Sequence, residues 1–74
     1  MTDEEASQLK LGDSVCWVEN KDDRPDRWYE YGEGPFIIHD ILRSDRESGL
    51  AVAVCIPDGL GKNRRVHPCF LRRR

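Results

Sequence analysis

What the chain lacks comes first. Nowhere in its 74 residues does an apolar run approach the roughly 20 residues that a membrane-crossing helix needs, so no membrane partner is expected. No segment repeats apolar residues at helical spacing over a useful length, which points away from a helical bundle. Cysteines are few and odd in number: Cys16, Cys55 and Cys69, with no Cys-x-x-Cys pair. That pattern argues against a disulfide framework and against a zinc knuckle. Zinc held by the three cysteines with His39 or His67 is the one metal reading available. Buried thiols behaving as small hydrophobes explain them better, and neither metal nor cofactor is expected. The phosphate-loop signature is missing too, since Gly59-x-Gly61-Lys62 is too short and no helical pattern follows it. The opening MTDEEASQLK has no apolar stretch of the kind a secretory signal carries, and a cytoplasmic location is expected.

A chain this short forms one domain and buries only about 60% of its unfolded surface. That leaves little room for a deep cavity surrounded by a catalytic shell. Charge is present in quantity and unevenly placed. Residues 1–33 hold ten acids and four bases, whereas residues 34–74 hold four acids and eight bases. From Lys62 onward there are six bases and no acid. Such asymmetry suits a basic end that faces a polyanion, or one that pairs with the acidic loop of its own chain.

The apolar residues fall into short alternating groups. Residues 1–8 are polar and acidic and are expected to form a flexible, disordered tail or at most one helical turn; residues 9–74 form the domain. After the turn at Gly12-Asp13, SVCWVE reads as a first strand, with Val15 and Trp17 on one face and Cys16 and Val18 on the other. NKDDRPDR, 20–27, is a charged loop. Phe36 to Leu42 reads as a second strand, with a bulge near His39-Asp40 that returns Ile41 to the core. SDRESG, 44–49, is a hairpin turn. LAVAVCI then forms the clearest strand: Leu50, Val52, Val54 and Ile56 on one face, Ala51, Ala53 and Cys55 on the other. PDGLGKN, 57–63, turns again, Arg64 to His67 forms a short strand, and Pro68 ends it. Val66, Phe70 and Leu71 close the core before a short last strand. The fold expected is all-β: a small closed barrel of about five antiparallel strands, since closure removes unpaired edges.

The order Leu11-Gly12-Asp13-Ser14-Val15, a long loop, Gly34-Pro35-Phe36 with a strand, a hairpin, and Val66-His67-Pro68-x-Phe70-Leu71 resembles the SH3-like small β-barrels, including KOW and Tudor modules. The resemblance covers about residues 9–72. It implies a binding role on nucleic acid or protein. One enzymatic branch, the type II dihydrofolate reductases, carries a Val-Gln-Ile-Tyr-Pro run where this chain has Arg64-Arg65-Val66-His67-Pro68. The glutamine and tyrosine that serve that activity are replaced here, so the activity is not carried over.

The residues themselves give no catalytic constellation. His39 and Asp40 are adjacent and point to opposite faces of a regular strand. His67 and Cys69 share a face only if the Pro68 turn permits it. Asp22-Asp23 and Asp3-Glu4-Glu5 are solvated acid pairs. Binding groups are better represented. Trp28, Tyr29 and Tyr31 offer rings for stacking. Arg43, Arg46, Arg64 and Arg65, with His67 beside them, offer contacts to phosphate. Asp22, Asp23, Asp26, Glu30 and Glu33 rim the aromatics, however, and better suit a basic peptide or other cation. Trp17 and Phe36 are expected in the core, Trp28 partly packed, and Tyr29 and Tyr31 exposed. The sequence thus favours a non-enzymatic β-barrel binding module, with nucleic acid preferred over protein as its partner. A protein-interaction or self-assembly module, using the small-residue face Ala51, Ala53 and Cys55, is the alternative.

Overall fold

The computed structural model describes residues 1–47 and 49–74, and for Arg46 the backbone alone. A short helix α1 (Asp3–Ser7) precedes six strands: β1 (Ser14–Trp17), β2 (Phe36–Ile37), β3 (Asp40–Arg46), β4 (Gly49–Pro57), β5 (Asn63–Val66) and β6 (Leu71–Arg73). Three single 3-10 turns, Lys21–Asp23, Trp28–Glu30 and Pro68–Phe70, punctuate the loops. The strands form two antiparallel three-stranded sheets, ordered β2-β1-β6 and β3-β4-β5.

Each sheet turns one apolar face inward, and the core lies between them. Val15, Trp17, Phe36 and Leu71 come from the first sheet, Val52, Val54, Ile56 and Val66 from the second, joined by Ala6, Leu9 and Ile38. Period-2 alternation places these residues. β4 shows it most plainly, with Val52, Val54 and Ile56 buried and Ala51, Ala53 and Cys55 turned outward.

The expected closed barrel does not form. Among the described residues no strand pairing joins one sheet to the other. The second expected strand is divided in two, because adjacent residues bond to different sheets: Ile38 N–H donates to Asp13 O at 3.0 Å and His39 N–H to Cys55 O at 2.9 Å. The bend expected near His39-Asp40 is therefore a corner where the chain changes sheets. At the other corner, Pro68 has no N–H to continue a ladder, and the chain turns through Pro68–Phe70 before β6 starts.

The disordered tail expected for residues 1–8 is also corrected. Thr2 and Glu5 close a reciprocal capping box, with Glu5 N–H donating to Thr2 Oγ1 at 3.2 Å and Thr2 N–H to Glu5 Oε1 at 3.3 Å. A helix this short has no stability of its own, so packing holds it. Ala6 is fully buried, the Met1 ammonium donates to Pro68 O at 3.0 Å and Leu71 O at 2.6 Å, and Arg43 Nη2 donates to Ser7 O at 2.6 Å.

Candidate functional site

The rings of the 28–36 segment do not share one role. Trp17 and Phe36 are in the core, their centroids 5.3 Å apart at an interplanar angle of 72°. Tyr31, expected to be exposed, packs edge-on against Trp17 at 5.3 Å and lies 6.5 Å from Phe36. The cause is local: Trp17 Nε1 donates to Gly32 O at 2.8 Å, which draws the chain after Tyr31 onto the core. Trp28 is half-buried, as expected, but its ring is covered by the protein's own cations, Arg24 at 4.5 Å and Lys21 at 5.7 Å from the centroid. Arg24 is fixed there by a bond from Nε to Val18 O at 2.9 Å and an ion pair with Glu33 at 3.3 Å. Tyr29 alone of the three is open, at 65% exposure.

The basic candidates separate in the same way. Arg43 caps the end of α1 through Ser7 O. Arg64 Nε donates to Asp58 Oδ2 at 2.8 Å, with Glu30 at 4.0 Å and the Tyr31 ring at 5.9 Å. His67 caps the Pro68–Phe70 turn: its Nδ1 accepts from Cys69 N–H at 3.1 Å, and its Nε2 lies 3.7 Å from Asp3 Oδ1. That contact is made by the Cys69 backbone, so His67 is engaged as a cap there and not with the thiol. Arg65 is exposed and in no ion pair among the described residues. The side chain of Arg46 lies outside the described residues.

The turn after β4 supplies groups that were read from sequence only as turn formers. Asp58 is the single buried charged residue among those described. Its Oδ1 accepts from Leu60 N–H at 2.8 Å and Lys62 N–H at 2.9 Å, while Oδ2 takes Arg64. Burial pushes its pKa up, but the Lys62 and Leu60 amides and Arg64 outweigh that and hold it below the ordinary carboxylate value. Gly59 N–H donates to Glu30 O at 2.8 Å. A Cβ at Gly59 would stand 2.7 Å from that same oxygen, so glycine is required by close approach. This bond sets Leu60, at 85% exposure, on the loop beside Tyr29. Asp26, Glu30 and Glu33 on the aromatic segment are exposed, Glu33 paired with Arg24 and Glu30 4.0 Å from Arg64. Asp58-Gly59 in the sequence signalled the turn; nothing in the sequence showed which loop it would meet.

Two open depressions among the described residues bear on binding. One, of about 450 Å³, is lined by Leu9, Asp13, Ser14, Arg73 and Arg74. The other, of about 240 Å³, lies on the outer side of the β3-β4-β5 sheet, between Leu42, Ser44, Ala51, Ala53 and Arg65. Among the described residues no three His, Cys, Asp or Glu side chains converge as a metal site would require. Cys16 and Cys55 lie in different sheets, Cys69 is in the turn after β5, and all three thiols are free. No described helix is long and apolar enough to cross a membrane. Compared with known proteins, the chain matches no family model, no curated protein and no solved structure.

Proposed function

We propose that the chain is a non-enzymatic binding module that engages a protein partner through the loop end carrying Tyr29 and Leu60. The observation that carries this reading is the Gly59 N–H to Glu30 O bond at 2.8 Å. It sets the exposed large apolar side chains of these loops, Tyr29 and Leu60, on neighbouring backbones, in a segment that also carries Asp26, Glu30 and Glu33. An apolar anchor in a segment that carries carboxylates suits a basic segment with an aliphatic or aromatic side chain of its own.

A second reading, nucleic acid, rests on a different observation. Arg65, Arg72, Arg73 and Arg74 are exposed and form no ion pair among the described residues, which leaves them available for phosphate.

One titration separates the readings. The labelled protein is followed by proton–nitrogen NMR against a peptide of alternating Arg and Leu, its Glu counterpart, and a pool of short single-stranded and duplex DNA and RNA. The protein reading expects shifts at Tyr29, Glu30 and Leu60 with the basic peptide only, and loss of about tenfold or more in affinity for Tyr29→Ala. Shifts gathered on Arg65 and Arg72–Arg74 with nucleic acid, fading as salt rises, overturn it in favour of the second.

A further inference from the structure

The outer face of the β3-β4-β5 sheet is ordered in rows. Asp40 pairs with Cys55 and Cys55 with Arg65, which sets acid, thiol and base side by side across three strands. The next rows hold Leu42 beside Ala53 and Ser44 beside Ala51. Alternation turns these residues away from the core that Val52, Val54 and Val66 enter. Asp40, Arg65 and Ala51 are exposed, Ala53 and Cys55 half-buried, and Leu42 is 38% exposed. Burial and the Asp40 charge raise the Cys55 thiol's pKa while Arg65 opposes them, so both charges are felt at the middle strand. The face is thus apolar and shallow along β4, with Asp40 on its β3 flank and Arg65 on its β5 flank.

We propose that two copies of this chain pair through this face, sheet on sheet, about a two-fold axis running along β4, with Asp40 of each copy set over Arg65 of the other. A rotation about that axis exchanges the β3 and β5 flanks and keeps each row at its own height. Asp40 therefore meets Arg65 twice, Cys55 meets Cys55, and Ala53 meets Ala53. A two-fold axis across the strands would lay β3 on β3 and β5 on β5, which brings like charge to the same side. The arrangement is isologous, as a two-fold pair must be. The short side chains of β4 let the sheets approach closer than the roughly 10 Å of ordinary face-to-face packing. Three strands spaced about 4.8 Å apart, over the roughly four-residue length that β5 shares, offer a patch on the order of 15 by 13 Å. That is well under the ~800 Å² per partner of a stable interface, so the pair is weak and reversible. None of the residues of the Tyr29–Leu60 loop end takes part, so this pairing stands or falls separately from that surface.

Sedimentation velocity on the full chain, from about 10 μM to about 1 mM at low salt, tests the pairing across the range expected for so small an interface. The expected result is a sedimentation coefficient that rises toward dimer with concentration. Asp40→Arg alone and Arg65→Asp alone, each at an exposed position, should raise the dimer dissociation constant about tenfold or more, because each sets like charges face to face. The double variant Asp40→Arg with Arg65→Asp should recover the wild-type constant, with far-ultraviolet circular dichroism unchanged in all three. A monomer throughout the range overturns the proposal. So does a dimer indifferent to the single reversals, or a double variant that fails to recover.

Discussion

At the residue scale, Asp58 and Gly59 carry the most consequence for their size. The Asp58 carboxylate accepts two backbone amides and one guanidinium group and has a lowered pKa. A folded-state value below the unfolded one contributes stability that is present above about pH 4 and is lost as pH falls through the folded value. Asp58→Asn removes that dependence. Urea unfolding at a series of pH values should therefore show the variant losing less stability than wild type as pH falls below about 4, though it starts from a lower value at pH 7. Parallel curves would mean that the carboxylate's partners do not favour its charge. For Gly59 the argument is steric. A Cβ 2.7 Å from the Glu30 carbonyl oxygen forces backbone to move, and Gly59→Ala should cost about 1–3 kcal/mol, read as a lower midpoint in thermal or urea unfolding. Amide shifts at Glu30 and Tyr29 should accompany it, because the two loops share that contact.

At the scale of elements, α1 shows how tertiary packing overrides composition. Five residues with three acids in the first turn carry no apolar period, so the segment reads as a tail. Yet Thr2-x-x-Glu5 is a capping-box signature, and Ala6 is an apolar residue that packing alone could place. Thr2→Ala should cost about 1 kcal/mol in urea unfolding and speed hydrogen exchange at Glu5; a disordered tail would show neither effect. The strands were more legible. β4 follows from alternation alone, and so does the burial of Val15 with Trp17 and of Phe36 with Ile38. The separation into two sheets was not legible, because it depends on whether Ile38 and His39 bond to the same neighbour, and pattern carries no partner information. The site divides along the same line. Tyr29 is open, as the sequence predicts, at 65% exposure. Tyr31 is not, because its burial follows from the Trp17 indole reaching Gly32 across 15 positions of sequence. Arg43 and Arg64 read as free cations until the fold supplied the Ser7 carbonyl and Asp58.

At the scale of the whole molecule, a single core serves both sheets and the helix. Residues from α1, β1, β2, β4, β5 and β6 enter it, so no element can leave without exposing another's apolar face. Equilibrium unfolding should be one transition, with the emission of Trp17 and Trp28, far-ultraviolet circular dichroism and heat absorption coincident. Separate transitions for the two sheets would show that the corner at Ile38–His39 is a hinge between independent units. Charge follows a different division from the core. Among the described residues, arginines in no ion pair lie on β5 and β6, while six of the fourteen acids are gathered in the 19–33 segment. Raised salt should therefore weaken partner binding while leaving the unfolding midpoint nearly unchanged, since exposed charges contribute little to folding.

The Met1 ammonium donates to Leu71 O at 2.6 Å, only three residues before Arg74. Topologically the chain is almost a ring, open at one short gap that about four linker residues would span at ~3.4 Å each. Such a ring can be cut elsewhere. A circular permutant that joins Arg74 to Met1 and begins within residues 20–27 would keep every strand pairing of both sheets. It would exchange the ammonium for a linker amide and thereby measure what that end-to-end contact contributes.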